Sequence, residues 1–353
     1  MAEVLRIAQL APIAAAVKPD STRSIEQLVC LLTEELVRRG HEVTLFASGD
    51  SRTSATLQAL YPRGYEDDDD LWNWHFHESL NAAAAFERAA DFDLIHSHVY
   101  HYALPFLHLV RTPVLHTYHI LPNPDILTAF VRCQARIAAA SAFQRHVLHD
   151  VADVAIVPHG IDTDRFSFNR RPGDYLCFLG QLTYGKGPVT AIHVARKAGM
   201  RLVLAGPGDE DEDYFRSEVA PLIDGQAIEY VGAVGQAERN RLLSGAAALL
   251  YPLADPEPFG LVLIEAMACG TPVAALGLGA VPEIVTDGVT GCCAADAEAL
   301  VARLPEVLRL DRARVRQEAV ERFDYRRMTD DYLAVYRRLV RRRTGRRVRR
   351  SPA

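Results

Sequence analysis

Two glutamates eight residues apart, Glu257 and Glu265, bracket a turn suited to binding an anion. Pro256 and Pro258 forbid a helix ahead of Phe259. Residues 261–269 are mostly good helix formers, and Gly270 stands where a helix stops. That helix is apolar on every side except at Glu265. The pattern predicts a buried helix whose one carboxylate needs partners, since an unpaired buried charge is costly. The N–H groups of Gly260, Leu261 and Val262 are then the free donors of a helix N-terminus. Gly260 lets a ligand approach the backbone closely. A carboxylate on the loop and another a turn into the helix could hold hydroxyls at both ends of a ligand whose phosphates sit at the turn. A nucleotide sugar has that shape. The rival reading makes Glu265 a structural acid, because two glutamates at this spacing often occur by chance.

A second phosphate candidate is the loop 180–187, with Gly180, Gln181, Gly185, Lys186 and Gly187 between a predicted strand, 175–179, and a helix, 188–198. A Gly-rich loop with one Lys before a helix could hold a diphosphate. It is not a P-loop, which needs GxxxxGK[ST]. Histidines crowd two other strand ends. His96 and His98 share one face of strand 94–98, as Thr117 and His119 share one face at the end of strand 113–118. Metal binding is one reading of so many histidines. The other is local hydrogen bonding at strand ends, which the lack of a Cys or carboxylate at ligand spacing favours. His119 precedes a Pro-rich loop, so it should open onto a cleft.

The elements that must carry these groups alternate. A strand at 4–10, a loop, a helix at 24–39 and a strand at 43–47 begin a doubly wound parallel sheet. The first loop has no GxGxxG, which weakens a dehydrogenase reading. An Ala-rich helix is expected at 81–90, helix at 130–133, strands at 136–140 and 153–157, and a linker at 169–173. Further strands at 202–205, 228–231 and 248–251, with a helix at 237–246, argue for a second such domain.

The chain has 353 residues, 49% of them hydrophobic, enough for two domains with sizeable cores. Its formal charge of −6 argues against general nucleic-acid binding. The acidic run 66–70 reads as a solvated loop. Nine arginines lie between Arg337 and Arg350 and could make weak contact with anionic lipid. The six cysteines are scattered without CxxC, which fits reduced thiols in a cytoplasmic protein. There is no signal-peptide pattern and no apolar run of membrane-spanning length.

The run 255–273 resembles the signature of retaining glycosyltransferases of family 4, which have the GT-B fold. Residues 158–166 resemble that family's NGID…F segment, and 281–291 also match. The resemblance is specific over 156–291 and looser before 97. It implies an α/β fold of two doubly wound Rossmann-like domains facing a central cleft. The expected layout is an acceptor-side domain at 1–168, a nucleotide-sugar domain at 169–323, a helix at 324–343 crossing back to the first, and a disordered basic tail at 344–353. It further implies that Glu257 contacts sugar hydroxyls and that Phe259, Gly260, Leu261 and Val262 hold sugar and phosphate. Glu265 would bind ribose, and Val234 the base through its backbone. Gly180 and Lys186 would hold the diphosphate, and His119 the donor sugar. Two departures stand out. Gln181 replaces the usual phosphate-binding Arg, and Arg23-Ser24 replaces a Gly-Gly pair in the first loop. Two readings stand: Arg23 reaches across the cleft and supplies the charge that Gln181 lacks, or it is merely solvated on a loop that has drifted with donor or acceptor choice.

The implied reaction moves a sugar from a nucleoside diphosphate sugar to an acceptor hydroxyl with retention. UDP-glucose is the first choice of donor. The leaving phosphate oxygen takes the acceptor proton, so no cofactor and no carboxylate nucleophile are needed. No Asp-x-Asp pair lies within the proposed phosphate loops, 180–187 and 255–262, so metal independence is expected. The alternatives are a catalytically silent nucleotide-binding protein, or another enzyme of this fold such as a nucleotide-sugar epimerase or a phosphorylase.

Overall fold

The computed structural model describes residues 3–21, 23–208 and 210–348, with side chains to residue 342. The chain divides into two compact units, 161–324 and the remainder.

The first unit carries seven strands: β1 (Arg6–Leu10), β2 (Glu42–Phe46), β3 (Thr56–Gln58), β4 (Leu94–Ser97), β5 (Val114–Thr117), β6 (Arg136–Ala139) and β7 (Asp153–Ile156). They form one parallel sheet in the order β3-β2-β1-β4-β5-β6-β7. The central strands β4 and β5 are buried on both faces, as in a parallel sheet between helices, with polar side chains only at their carboxyl ends. Helix Ser24–Arg38 buries Leu28, Leu32 and Leu36, its i, i+4, i+8 stripe. The C-terminal helix Tyr325–Val348 packs against it, and Arg39 binds both Glu35 and Asp330. Tyr332 and Tyr336 bury their rings in this unit.

The second unit holds β8 (Tyr175–Leu179), β9 (Arg201–Ala205), β10 (Ile228–Tyr230), β11 (Ala248–Tyr251), β12 (Val273–Leu276) and β13 (Gly291–Ala294). Its sheet is parallel, in the order β10-β9-β8-β11-β12-β13. Strand order reverses between β8 and β11 here, and between β1 and β4 in the first unit. In open α/β sheets ligands bind outside the carboxyl ends of strands at such switch points.

The structure extends several local expectations. The Ala-rich helix begins at Trp74 and ends at Glu87, because the aromatic first half has no apolar stripe to mark it. Residues 130–132 belong to a helix as expected, one that spans Pro124–Arg132. Asn123 caps it by accepting from the Ile126 N–H, with Pro at its first position. The three-residue edge strand β3 is too short to leave a period. The C-terminal helix continues to Val348, so residues 344–348 of the basic tail are helical; residues 349–353 lie outside the described residues. The acidic run is mostly exposed, as a solvated loop would be, and within it Glu66 pairs with Arg23 and donates its N–H to Ala14 O. All six cysteines are free. Among the described residues no helix is long and apolar enough to cross a membrane.

One buried acid yields a stability prediction. Glu78 accepts the Ile13 N–H through Oε1 at 2.9 Å, while Oε2 has no hydrogen-bond partner among the described residues. Burial, with Glu26 adding, pushes its carboxyl up to about 8. Above the ordinary carboxylate range the folded state therefore holds more protons than the unfolded one, and stability falls as pH rises towards 8. Glu78→Gln keeps the Ile13 bond and removes the titration. Its melting temperature should exceed that of the wild type by more at about pH 8 than at about pH 5. Equal shifts at both pH values would refute this assignment.

Candidate functional site

The switch point of the second unit brings together the loops that follow β8 and β11. The N–H groups of Ala254 and Asp255 both donate to Gly185 O, at 2.9 and 3.1 Å. Gly187 has φ +73°, and a Cβ there would lie 2.0 Å from Pro252 O, so only glycine permits this approach. The approach places Lys186, in the turn Tyr184–Lys186, against Glu257. The Lys186 ammonium forms an ion pair with Glu257 Oε1, and Tyr251 OH donates to Oε2. Burial draws the Lys186 ammonium below the usual lysine range, and Glu210 opposes that shift.

Helix Leu261–Ala268 starts immediately beyond. Its cap, Gly260, has φ +127°, and no side chain caps the helix. The leading N–H groups of such a helix have no intrahelical acceptor and form a positive end. Glu265, a turn further along, is 5% exposed, and its Oε1 is 3.1 Å from Arg239 Nη1. The expected buried helix and the partnered carboxylate are both present. Phe259 is buried, while Leu261 and Val262 are partly exposed. Gly180 donates its N–H to Ala205 O, and a Cβ there would meet nothing within 4 Å. Gln181 and Val234 are partly exposed on the loops after β8 and β10. The second unit thus gathers a cation, two carboxylates and a helix N-terminus at one sheet edge.

In the first unit, His119 follows β5 and is partly exposed. Its ring lies between those of His98 and His159 and near parallel to both, at centroid distances of 5.3 and 5.2 Å. Burial, then His159 and His98, hold its pKa well below the ordinary imidazole range, so the ring is neutral. Local hydrogen bonding at these strand ends holds only in part: neither ring nitrogen of buried His116 has a hydrogen-bond partner among the described residues, while His96 and His98 join a network that reaches the C-terminal helix. His96 bonds Tyr336 and Thr117, and His98 bonds Gln9 and His119. Arg23 forks onto Glu66 within its own unit, with Nε–Oε2 at 2.8 Å and Nη2–Oε1 at 2.5 Å.

Three participants were missed in the sequence. Tyr251 ends β11, Arg239 lies on helix Gln236–Gly245, and Glu210 sits on the acidic loop after β9. Only Tyr251 carried a signal, as a polar atom at the carboxyl end of an apolar strand.

Known proteins resemble this chain along its length. The family model for Glycosyltransferase Family 4 matches residues 25–165, and that for Glycosyl transferases group 1 matches residues 161–322. The chain is 30% identical to a D-inositol 3-phosphate glycosyltransferase of Saccharomonospora viridis, over 72% of each chain. It is 28% identical to a phosphatidyl-myo-inositol mannosyltransferase of Mycobacterium leprae, over 70% of this chain and 73% of that one. Among solved structures it is similar to AviGT4, a glycosyltransferase involved in avilamycin A biosynthesis (TM-score 0.71, 25% identity, 95% of this chain and 98% of that one). Its fold is also that of Anabaena HepE, solved in complex with UDP and glucose (TM-score 0.71, 17% identity, 95% and 100%). With two parallel-sheet units, matches along both and a 30% identical relative covered to nearly three quarters, this chain belongs to glycosyltransferase family 4 and has the GT-B fold.

Proposed function

We propose that this glycosyltransferase takes a sugar from a nucleoside diphosphate sugar, UDP-glucose being the first donor to try, and passes it to an acceptor hydroxyl with retention. The observation that carries this reading is the Lys186–Glu257 pair beside the uncapped N-terminus of helix Leu261–Ala268, with Glu265 a turn along. That edge offers positive charge for a diphosphate and carboxylates for the hydroxyls of sugar and ribose. The donor belongs to the second unit, its base beside Val234, and the acceptor to the first. His119 serves the donor sugar from the first unit. HepE, solved with UDP and glucose, supports the choice of donor. Two relatives named for inositol substrates support a phosphorylated cyclitol as the first acceptor class to test.

The mechanism is front-face. The bond from the anomeric carbon to the diphosphate breaks as the acceptor oxygen bonds on the same face, and the leaving phosphate oxygen takes the acceptor proton. Lys186 and the N–H groups of Gly260, Leu261 and Val262 stabilise the departing charge. In this reading the protein supplies that charge without a metal. Six free cysteines support a reducing, cytoplasmic setting. The arginines between 337 and 350 support weak contact with anionic membrane surfaces.

The test is a panel of donors and acceptors read by mass spectrometry. Nucleoside diphosphate should appear only when an acceptor is added. Release without acceptor, or nucleotide binding without turnover, would favour the other enzyme classes of this fold or a silent binding protein. Within the panel, Glu257→Gln should lower kcat about tenfold, the cost of one hydrogen bond to a charged group, and leave UDP affinity within about twofold. Equal loss of both would make Glu257 a support of the fold.

Arg23 is our candidate for the phosphate charge that Gln181 lacks. Its pair with Glu66 is exposed and worth only about 0–1 kcal/mol, so exchanging that carboxylate for a diphosphate costs little. Arg23→Ala should weaken donor binding, and adding Gln181→Arg should restore part of the loss. Normal donor binding by Arg23→Ala in calorimetry would end this assignment.

A further inference from the structure

Behind His119 an unbroken chain of hydrogen bonds runs to the C-terminal helix. Gln9, on β1, is fully buried. Its Nε2 donates to Tyr336 OH at 3.2 Å, and its Oε1 lies 3.1 Å from His98 Nε2. Tyr336 OH is also 2.7 Å from His96 Nδ1. A phenol has one proton. Having accepted from Gln9, Tyr336 gives its own proton to His96 Nδ1, so the His96 proton is on Nε2. That N–H donates to Thr117 Oγ1 at 2.8 Å, and Thr117 meets Tyr332 OH at 2.9 Å.

The other branch is equally constrained. An amide oxygen only accepts, so His98 Nε2 must carry a proton. His98 is 2% exposed, and its two hydrogen-bond partners, Gln9 and His119, are both uncharged. Burial, with His96, His159 and His116 beside it, keeps it neutral. Its Nδ1 is therefore a lone pair. His119 Nε2, 3.1 Å away, has to be the donor.

We propose that Gln9 and His98 are positioning residues for His119: they hold its neutral ring in the Nε2–H tautomer, so that Nδ1 presents a lone pair to a hydroxyl of the donor sugar. The sugar contact rests on the reading of His119 given above; the tautomer does not. The specificity that follows is for a sugar that offers a hydroxyl proton to His119. An analogue with hydrogen in place of that hydroxyl should lose the benefit of the network.

The experiment is nitrogen NMR of the full chain with 15N-labelled histidine, without ligand, at neutral pH. The His119 signals are assigned by their loss in His119→Ala. His119 should show a protonated Nε2 and an unprotonated Nδ1. The reverse tautomer means that the Gln9 amide points the other way, and it overturns the proposal. In Gln9→Leu and His98→Phe the two tautomers should mix. In each, kcat should fall about tenfold while donor KM stays within about twofold. An unchanged tautomer, or mixed tautomers with unchanged kcat, also overturns it. If neither variant folds, the wild-type spectrum alone decides the tautomer. His119→Ala separates the two ideas: a full rate there removes the sugar contact and leaves the tautomer standing.

Discussion

Replacing Lys186 with Ala should lower kcat by about 10²–10³-fold, the usual cost of removing one preorganised group that stabilises developing negative charge. Two features of the site make this the largest effect of any single change. Lys186 is held by a turn that only glycine at 187 permits, so its ammonium is positioned before any ligand arrives. Its removal also leaves the Glu257 carboxylate, bonded to Tyr251, without its cation at the place proposed for the diphosphate. The variant therefore loses an attraction and gains a repulsion. Lys186→Ala with Glu257→Gln should then be less impaired than the product of the two single effects, because the second change removes the repulsion. Steady-state kinetics on the four proteins measures this directly. Independent, multiplying effects would show that the pair does not act on one diphosphate. Lys186→Arg should rescue only partly, since a planar fork does not replace a point charge in so short a turn.

The carriers of this site were more legible in the sequence than its partners. Helix Leu261–Ala268 could be read because prolines, apolar residues and Gly270 all punctuate one short stretch. Its polarity pattern even demanded a partner for Glu265. That the partner is Arg239, twenty-six residues earlier on another helix, depends on how two elements pack, and no local pattern encodes that. The same holds for Tyr251 and Glu257, and for Lys186, whose contact is made by the meeting of two loops. The histidines show the intermediate case. Alternation put His96 and His98 on one face, with ring centroids 4.0 Å apart. The tyrosines that complete the network come from a helix more than two hundred residues away. Arg23 shows the converse: its neighbours suggested an exposed, available charge, and the acidic run 66–70 supplies a carboxylate for it.

Glu265→Ala should weaken UDP binding by about 1.5–3 kcal/mol, roughly ten- to 150-fold, if its carboxylate takes the two ribose hydroxyls. The competing role is structural. Glu265 is almost fully buried and bonds Arg239, so its loss could simply leave that guanidinium without its carboxylate. The two roles differ in what the ligand feels. Binding of UDP and of 2′,3′-dideoxy-UDP to wild type and variant closes a cycle that isolates the carboxylate–hydroxyl interaction. With a ribose contact, the dideoxy ligand binds wild type weakly and loses almost nothing further in Glu265→Ala. With a purely structural role, both ligands lose equally. Arg239→Ala supplies the remaining arm, because it removes the ion pair and leaves Glu265 in place. A carboxylate freed from Arg239 would be buried without its cation, so that variant should melt at a lower temperature, yet still prefer UDP to the dideoxy form. If the preference for the ribose hydroxyls disappears in Arg239→Ala as well, the guanidinium is what orients Glu265, and recognition of the ribose belongs to the pair.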